Sequence, residues 1–274
     1  MTSIHAKAPA TSANLGPGFD VAAVAFELWN EVEIGERNGA PPPARNHLAV
    51  RAFSIYADPD AYSFTFTDRI PRERGLGSSA AVVALGLVAG AAAAGVQPSV
   101  DELLAAGLEL EGHPDNLAAA LAGGVCLTWE GRIARIADDV PAAVIAVVPK
   151  ERVKTAESRA SLPHEVRYAD AVFSAGRAAL LGAALAAGDP RLLAASADDR
   201  LHEPYRVAHA PHLLAIRADL PDGALGATLS GSGPTVIVWA ERGRAADVAA
   251  TLVGRFPEHD VLHLPVATEG AAAA

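Results

Sequence analysis

The amino-acid sequence predicts an α+β fold on two observations. Short strand-like patterns and longer helical stretches occur in both halves of the chain, and they do not follow the strict strand–helix alternation of a doubly wound sheet. With 274 residues, 51% of them hydrophobic and 20% charged, the chain can bury a sizeable core in one large domain or two modest ones. Ile4 to Ala10, Trp29 to Gly35 and Phe64 to Thr67 read as strands, with Pro41-Pro42-Pro43 marking a surface loop before the third. A helix over Ala80 to Ala94 follows the glycine-rich segment Arg74-Gly75-Leu76-Gly77-Ser78-Ser79. Ser99-Val100-Asp101-Glu102 is a capping-box pattern that opens a second helix running towards Gly112. Gly124 to Trp129 and Arg132 to Ile136 read as strands joined at Glu130-Gly131, and Ala142 to Val148 as a buried strand before Pro149. Helices are expected at Ala169 to Ala187, Pro190 to Asp199 and Gly243 to Arg255, with strands at Thr235 to Ala240 and Val261 to Val266. The tail Glu269-Gly270-Ala271-Ala272-Ala273-Ala274 reads as frayed.

Net charge is −10 with the nine histidines neutral, which leaves no basic stripe for nucleic acid. Met1 to Pro9 contains no apolar stretch of signal-peptide length, and the Ala-rich run Ala80 to Val96 is short and glycine-broken for a membrane span. Cys126 is the only cysteine, so no intramolecular disulfide can form, and a reducing cytoplasm is expected. In the apolar run Gly124 to Leu127 it reads as a buried filler. His5, His47, His164, His202, His209, His212, His259 and His263 have no convincing metal-ligand spacing and read as solvated or loosely packed; Trp29, Trp129 and Trp239 read as packing residues.

Three Gly/Ser segments carry chemistry. In Pro71 to Ala81 a glycine loop runs directly into a helix, where converging backbone N–H groups and the positive end of the helix make a phosphate cradle. Ser78 and Ser79 add hydroxyls suited to phosphate or Mg2+. Neither a Walker A lysine nor a G-x-G-x-x-G run is present, and on local grounds a glycine turn that merely caps a helix reads equally well. Pro9 to Asp20 is a polar, glycine-punctuated loop ending in a carboxylate, and Leu229-Ser230-Gly231-Ser232-Gly233-Pro234-Thr235 is a second Gly/Ser loop just before a strand.

These segments resemble, in order, the three signature motifs of the GHMP kinases: Pro-x-x-x-x-Asn-Leu-Gly-x-Gly-Phe-Asp, Gly-Leu-Gly-Ser-Ser-Ala-Ala and Ser-Gly-Ser-Gly-Pro. The resemblance spans nearly the whole chain. It implies an N-terminal ribosomal-protein-S5-domain-2-like domain over residues 1–149, a ferredoxin-like domain over 150–274, and ATP and acceptor bound between them. Within the family, Glu109 to Asn116, Thr155 to Pro163 and Glu203 to Arg206 resemble segments of homoserine kinases, which implies transfer of the γ-phosphoryl group of ATP to the side-chain hydroxyl of L-homoserine.

Carried over by resemblance, Arg74, Gly75, Leu76, Gly77, Ser78, Ser79 and Ala80 would hold the nucleotide, with Asn46 near adenine. Ser79 and Glu109 would hold Mg2+, with Glu111 as the alternative carboxylate. Asp20, His113, Asn116, Arg159 and Arg206 would line the acceptor site, with Thr155, Thr11, Asn14, Gly231 and Ser232 close by. Guanidinium forks suit an α-carboxylate and Asp20 suits an α-ammonium. Asn116, His113 and Asp20 are the catalytic candidates: the base-free route fits Asn116, and Asp20 or His113 removing the hydroxyl proton is the alternative. The resemblance also implies a homodimer. The competing readings are a GHMP kinase for a mevalonate- or sugar-type acceptor and a non-catalytic protein of the same fold.

Overall fold

The computed structural model describes residues 3–274. In chain order β1 (Ile4–Asn14) and β2 (Gly18–Glu36) form a long hairpin, followed by α1 (Leu48–Phe53) and β3 (Tyr62–Thr67). Three helices come next, α2 (Ser78–Ala94), α3 (Val100–Glu111) and α4 (Pro114–Ala122), then the hairpin β4 (Val125–Trp129) and β5 (Arg132–Ala137). After β6 (Ala143–Val148) lie α5 (Thr155–Ala160), α6 (Tyr168–Ala187), α7 (Pro190–Ser196), α8 (Glu203–Arg206) and α9 (Pro211–Ala218). The chain closes with β7 (Ala224–Leu229), β8 (Val236–Ala240), α10 (Ala245–Arg255), β9 (Asp260–His263) and β10 (Ala272–Ala273).

The strands make two antiparallel sheets. In the first, ordered β10-β1-β2-β4-β5, β2 is long enough to pair with β1 along one edge and with both β3 and β4 along the other. In the second, ordered β7-β8-β6-β9, helices connect β6 to β7 and α10 connects β8 to β9, which is the ferredoxin-like arrangement. β6 is the first strand of that unit, so by sheet membership the change-over falls between Ala137 and Ala143, ahead of the expected division at residue 149. The apolar run Ala143 to Val148 is buried along its whole length because it is a central strand with a hydrophobic core on each face, Val144, Ala146 and Val148 on one and Ala143, Ile145 and Val147 on the other.

Helix α2 is apolar on every face, as a helix enclosed on all sides must be, and packs with α3 and α4 against the first sheet. Gly86 and Gly90 fall on one side of α2, where a Cβ would overlap the backbone of Ala49 and Phe53; their lack of a side chain lets α1 lie directly on α2. The first core joins Ala6, Phe26, Leu85, Leu104, Leu117, Leu181 and Trp239, and a second gathers Ile145, Leu213, Ile216, Val238 and Leu252 on the other face of the second sheet. The capping box at α3 forms as expected: Ser99 Oγ accepts from Glu102 N and Glu102 Oε2 accepts from Ser99 N. Cys126 is fully buried, which pushes its thiol up to about 12 and leaves it inert. Helix α6 is long and apolar enough to cross a bilayer by length and composition; here Ser174, Leu181, Ala184 and Leu185 turn inwards, and the helix packs on α7 and β5.

Several expectations are corrected. The tail is not frayed: Ala272 and Ala273 pair with Lys7 and Ala6 as β10, and Ala271 N donates to Ala120 O. The first Gly-containing motif is mostly strand, with a turn only at residues 15–17, and Asn14, Leu15 and Asp20 have positive φ where the chain reverses. Trp129 is 49% exposed and packs little, whereas Trp239 is buried with its indole N–H on Thr228. His202 and His212 are buried rather than solvated. The short helices α1, α4, α5, α8 and α9 and strand β7 lay outside the expected elements.

Candidate active site

The three Gly-containing motifs converge although they are far apart in sequence. Thr11 N donates to Leu76 O, Gly231 N to Ala13 O, and Thr235 N to Arg74 O, while Ser230 Oγ donates to Gly75 O and accepts from Ser12 Oγ. Gly77 caps α2 in the left-handed conformation at φ 63°, and a Cβ there would overlap Thr11 Oγ1. The first-turn N–H groups of α2 therefore face a cavity of about 280 Å3, lined by Gly75, Gly77, Ser78 and Ser79 on one side. Asn14, Asp20, Arg74, Glu111, His113, Asn116, Thr155, Arg159, Arg206, Gly231 and Ser232 complete most of its wall. A second cavity of about 430 Å3 shares Ser78 and Ser79 and runs to Asn46, His47, Leu48 and Val82. Its apolar wall and position beyond the phosphate loop suit a nucleoside.

At the phosphate end the structure brings Glu111, not Glu109, to Ser79, whose hydroxyl donates to Glu111 Oε2 at 2.6 Å. Glu109 is exposed and lines neither cavity, which corrects the expectation that it would join Ser79. The reason is helical phase: residues two apart on α3 point to nearly opposite sides, and Glu111 continues the buried stripe Leu104–Gly107. Burial pushes the Glu111 carboxyl up to about 7, against the opposing pull of the Ser79 hydroxyl. The side chains of Leu76 and Ala80 are fully buried in the core, so any contact with a ligand is through the backbone.

Further along the cavity the charges alternate. Arg159 Nη2 donates to Asp20 Oδ1 at 2.5 Å, and Asp115 lies within the field of Asp20, Arg159 and Arg206. Both guanidiniums approach one ring, with Arg159 5.6 Å and Arg206 5.3 Å from the centre of Phe19. Asp115, 4% exposed, is pushed up to about 6 by burial. It lines the cavity but did not figure among the sequence-derived candidates, although it immediately precedes Asn116; Phe19 and Lys154 were missed as well. Burial, followed by Arg159, lowers the pKa of His113 and so favours the neutral ring at pH 7. Thr11 does not line the cavity; its hydroxyl donates to Asn116 Oδ1 at 2.7 Å and fixes which way the amide faces. Asn14 joins two motifs, accepting from Asp20 N and donating to Gly231 O.

Residues 46–124 match the family model for the GHMP kinases N terminal domain and residues 181–258 that for the GHMP kinases C terminal domain. The chain belongs to the GHMP kinases. Among the relatives of this GHMP kinase, a homoserine kinase of Carboxydothermus hydrogenoformans is 39% identical, covering 95% of this chain and 90% of that one. A homoserine kinase of Streptomyces avermitilis is 38% identical over 92% of this chain and 90% of its own. The crystal structure of homoserine kinase from Cytophaga hutchinsonii superposes with a TM-score of 0.89 at 26% identity, covering 100% of this chain and 98% of that one. In this GHMP kinase a glycine loop without a lysine sits at the head of a buried helix, and a wall carrying charges of both signs faces it.

Proposed function

We propose that this GHMP kinase transfers the γ-phosphoryl group of ATP to the side-chain hydroxyl of L-homoserine, giving O-phospho-L-homoserine. The observation that carries the acceptor is the set of two guanidiniums and two carboxylates, Arg159, Arg206, Asp20 and Asp115, on one cavity wall beside the phosphate loop. A zwitterion presents one carboxylate and one ammonium, and only such a ligand meets both signs. A mevalonate-type acid brings no cation to the two carboxylates, and a neutral sugar brings neither charge. The relatives named above support the same acceptor.

In this reading the loop from Gly75 to Ser79 and the first turn of α2 hold the triphosphate by main-chain N–H groups. The Ser79 hydroxyl and Glu111 carboxylate are hard oxygen donors 2.6 Å apart, a set that fits Mg2+, and these two residues would hold it. When bound, the ion neutralises charge on the β- and γ-phosphates. Arg206 and Arg159 take the acceptor carboxylate, Asp20 and Asp115 its ammonium, and Asn116, aimed by Thr11, faces the reacting hydroxyl. Positioning and charge neutralisation carry the reaction in a loose transition state, so no dedicated base is needed.

An assay of ADP release over a panel of homoserine, mevalonate and simple sugars tests the acceptor; activity with mevalonate and none with homoserine would overturn it. Replacing Arg206 by Ala should raise KM for homoserine by about 100-fold and leave KM for ATP within a factor of about two. Asn116→Ala should lower turnover at saturating homoserine by about 100-fold, whereas His113→Ala should act mainly on homoserine binding. A large loss of turnover in the His113 variant would instead make that ring the base.

A further inference from the structure

His202 lies just outside the cavity, fully buried, at the head of α8. Its backbone is fixed by Asp199, whose Oδ2 accepts from the N–H groups of Leu201, His202 and Glu203, while Oδ1 accepts from Ser174 Oγ. Phe19 stacks on the imidazole at 4.9 Å, which fixes the plane of the ring. Nε2 stands 2.7 Å from Gly16 O, and a carbonyl only accepts; the ring proton is therefore on Nε2. Nδ1 then carries a lone pair and stands 3.2 Å from Arg206 Nη1, which only donates. The same Nη1 also donates to Gly231 O at 3.2 Å, so both of its hydrogens are engaged. Among the described residues the Arg206 Nε has no partner. Nε and Nη2 form the edge of a guanidinium that grips a carboxylate with two parallel bonds.

We propose that His202 is a positioning residue for phosphoryl transfer: as the Nε2–H tautomer it spans from the turn at Gly16 to Arg206, engages Nη1, and so turns the Nε–Nη2 edge towards the acceptor carboxylate. The inference rests on the assignment of Arg206 to that carboxylate. A leucine or a charged imidazolium at position 202 would withdraw the acceptor lone pair, and the imidazolium would set an N–H against an N–H. The buried site disfavours that charge, holding the ring down at about 4 against the opposing pull of Asp199, so the ring is neutral throughout the physiological range.

Two substitutions separate the two ring nitrogens. In His202→Gln the amide nitrogen reaches the place of Nε2 and can still donate to Gly16, but the acceptor facing Arg206 is lost. In His202→Asn the side-chain oxygen takes the place of Nδ1 and can still accept from Arg206. His202→Gln should raise KM for homoserine about tenfold with KM for ATP unchanged, and His202→Asn should raise it by a smaller factor. In an Arg206→Ala background His202→Gln should add nothing further. Equal shifts in both KM values, or a full additional factor in the Arg206→Ala background, would overturn the proposal. If Arg206→Ala leaves KM for homoserine unaltered, the acceptor assignment itself fails; if it raises KM and His202→Gln does not, only the role of His202 fails. Should the glutamine variant not fold, the nitrogen-15 spectrum of the wild-type imidazole decides, with an unprotonated Nδ1 expected and a protonated Nδ1 refuting the proposal.

Discussion

Gly77→Ala is expected to lower kcat/KM about 100-fold or more without unfolding the protein, read by an ADP-release assay beside a thermal melt. Gly77 holds φ 63° as the cap of α2, where an L side chain is strained, and the new methyl group would overlap Thr11 Oγ1. Thr11 must then move, and it is the donor that fixes the Asn116 amide. One methyl group therefore disturbs the phosphate loop and the group facing the reacting hydroxyl together, and a misplacement of about 1 Å is enough to cost two orders of magnitude. Retained activity within a factor of about ten would mean that the loop does not grip the triphosphate in this way.

Glu111→Ala should lower turnover about 1000-fold and raise the Mg2+ concentration needed for half-maximal rate, because it removes the only carboxylate in contact with Ser79 among the described residues. Glu109→Ala serves as the contrast, since that side chain is exposed on the outer face of α3 and should leave rate and Mg2+ dependence within a factor of about two. If the two variants exchange these behaviours, the metal assignment moves to Glu109. Titration with Mg2+ at saturating ATP and homoserine separates the outcomes.

Much of this was legible in the chain because the informative signals are local. The Ser99 to Glu102 capping box, the glycine loop before α2 and the buried run at β6 each specify their own conformation within a few residues. The choice between Glu109 and Glu111 was also present, as the helical phase set by Leu104 and Gly107, but it required knowing which face of α3 meets α2. Asp115 was hidden by its neighbour, since an Asp-Asn pair does not say which member enters a cavity. The burial of His202 had no local signal: Arg200-Leu201-His202-Glu203 is polar, and α8 is four residues long, too short for periodicity to show a face. The pairing of the terminal alanines with β1 depends on a partner more than 260 residues away, and no short-range pattern carries it.

The close seating of α1 on Gly86 and Gly90 has a bearing on how the two ligands differ. In the proposed reading, the wall bearing Asn46, His47 and Leu48 and the turn that would cradle phosphate flank one helix pair held backbone to backbone, so the nucleotide half is a single stiff block. In the same reading the acceptor half is assembled from separate elements, the start of β2 at Asp20, the start of α4, α5 at Arg159 and α8 at Arg206. A slight parting of those segments would loosen the amino acid while ATP stays seated, which makes the acceptor side the natural place for the enzyme to breathe.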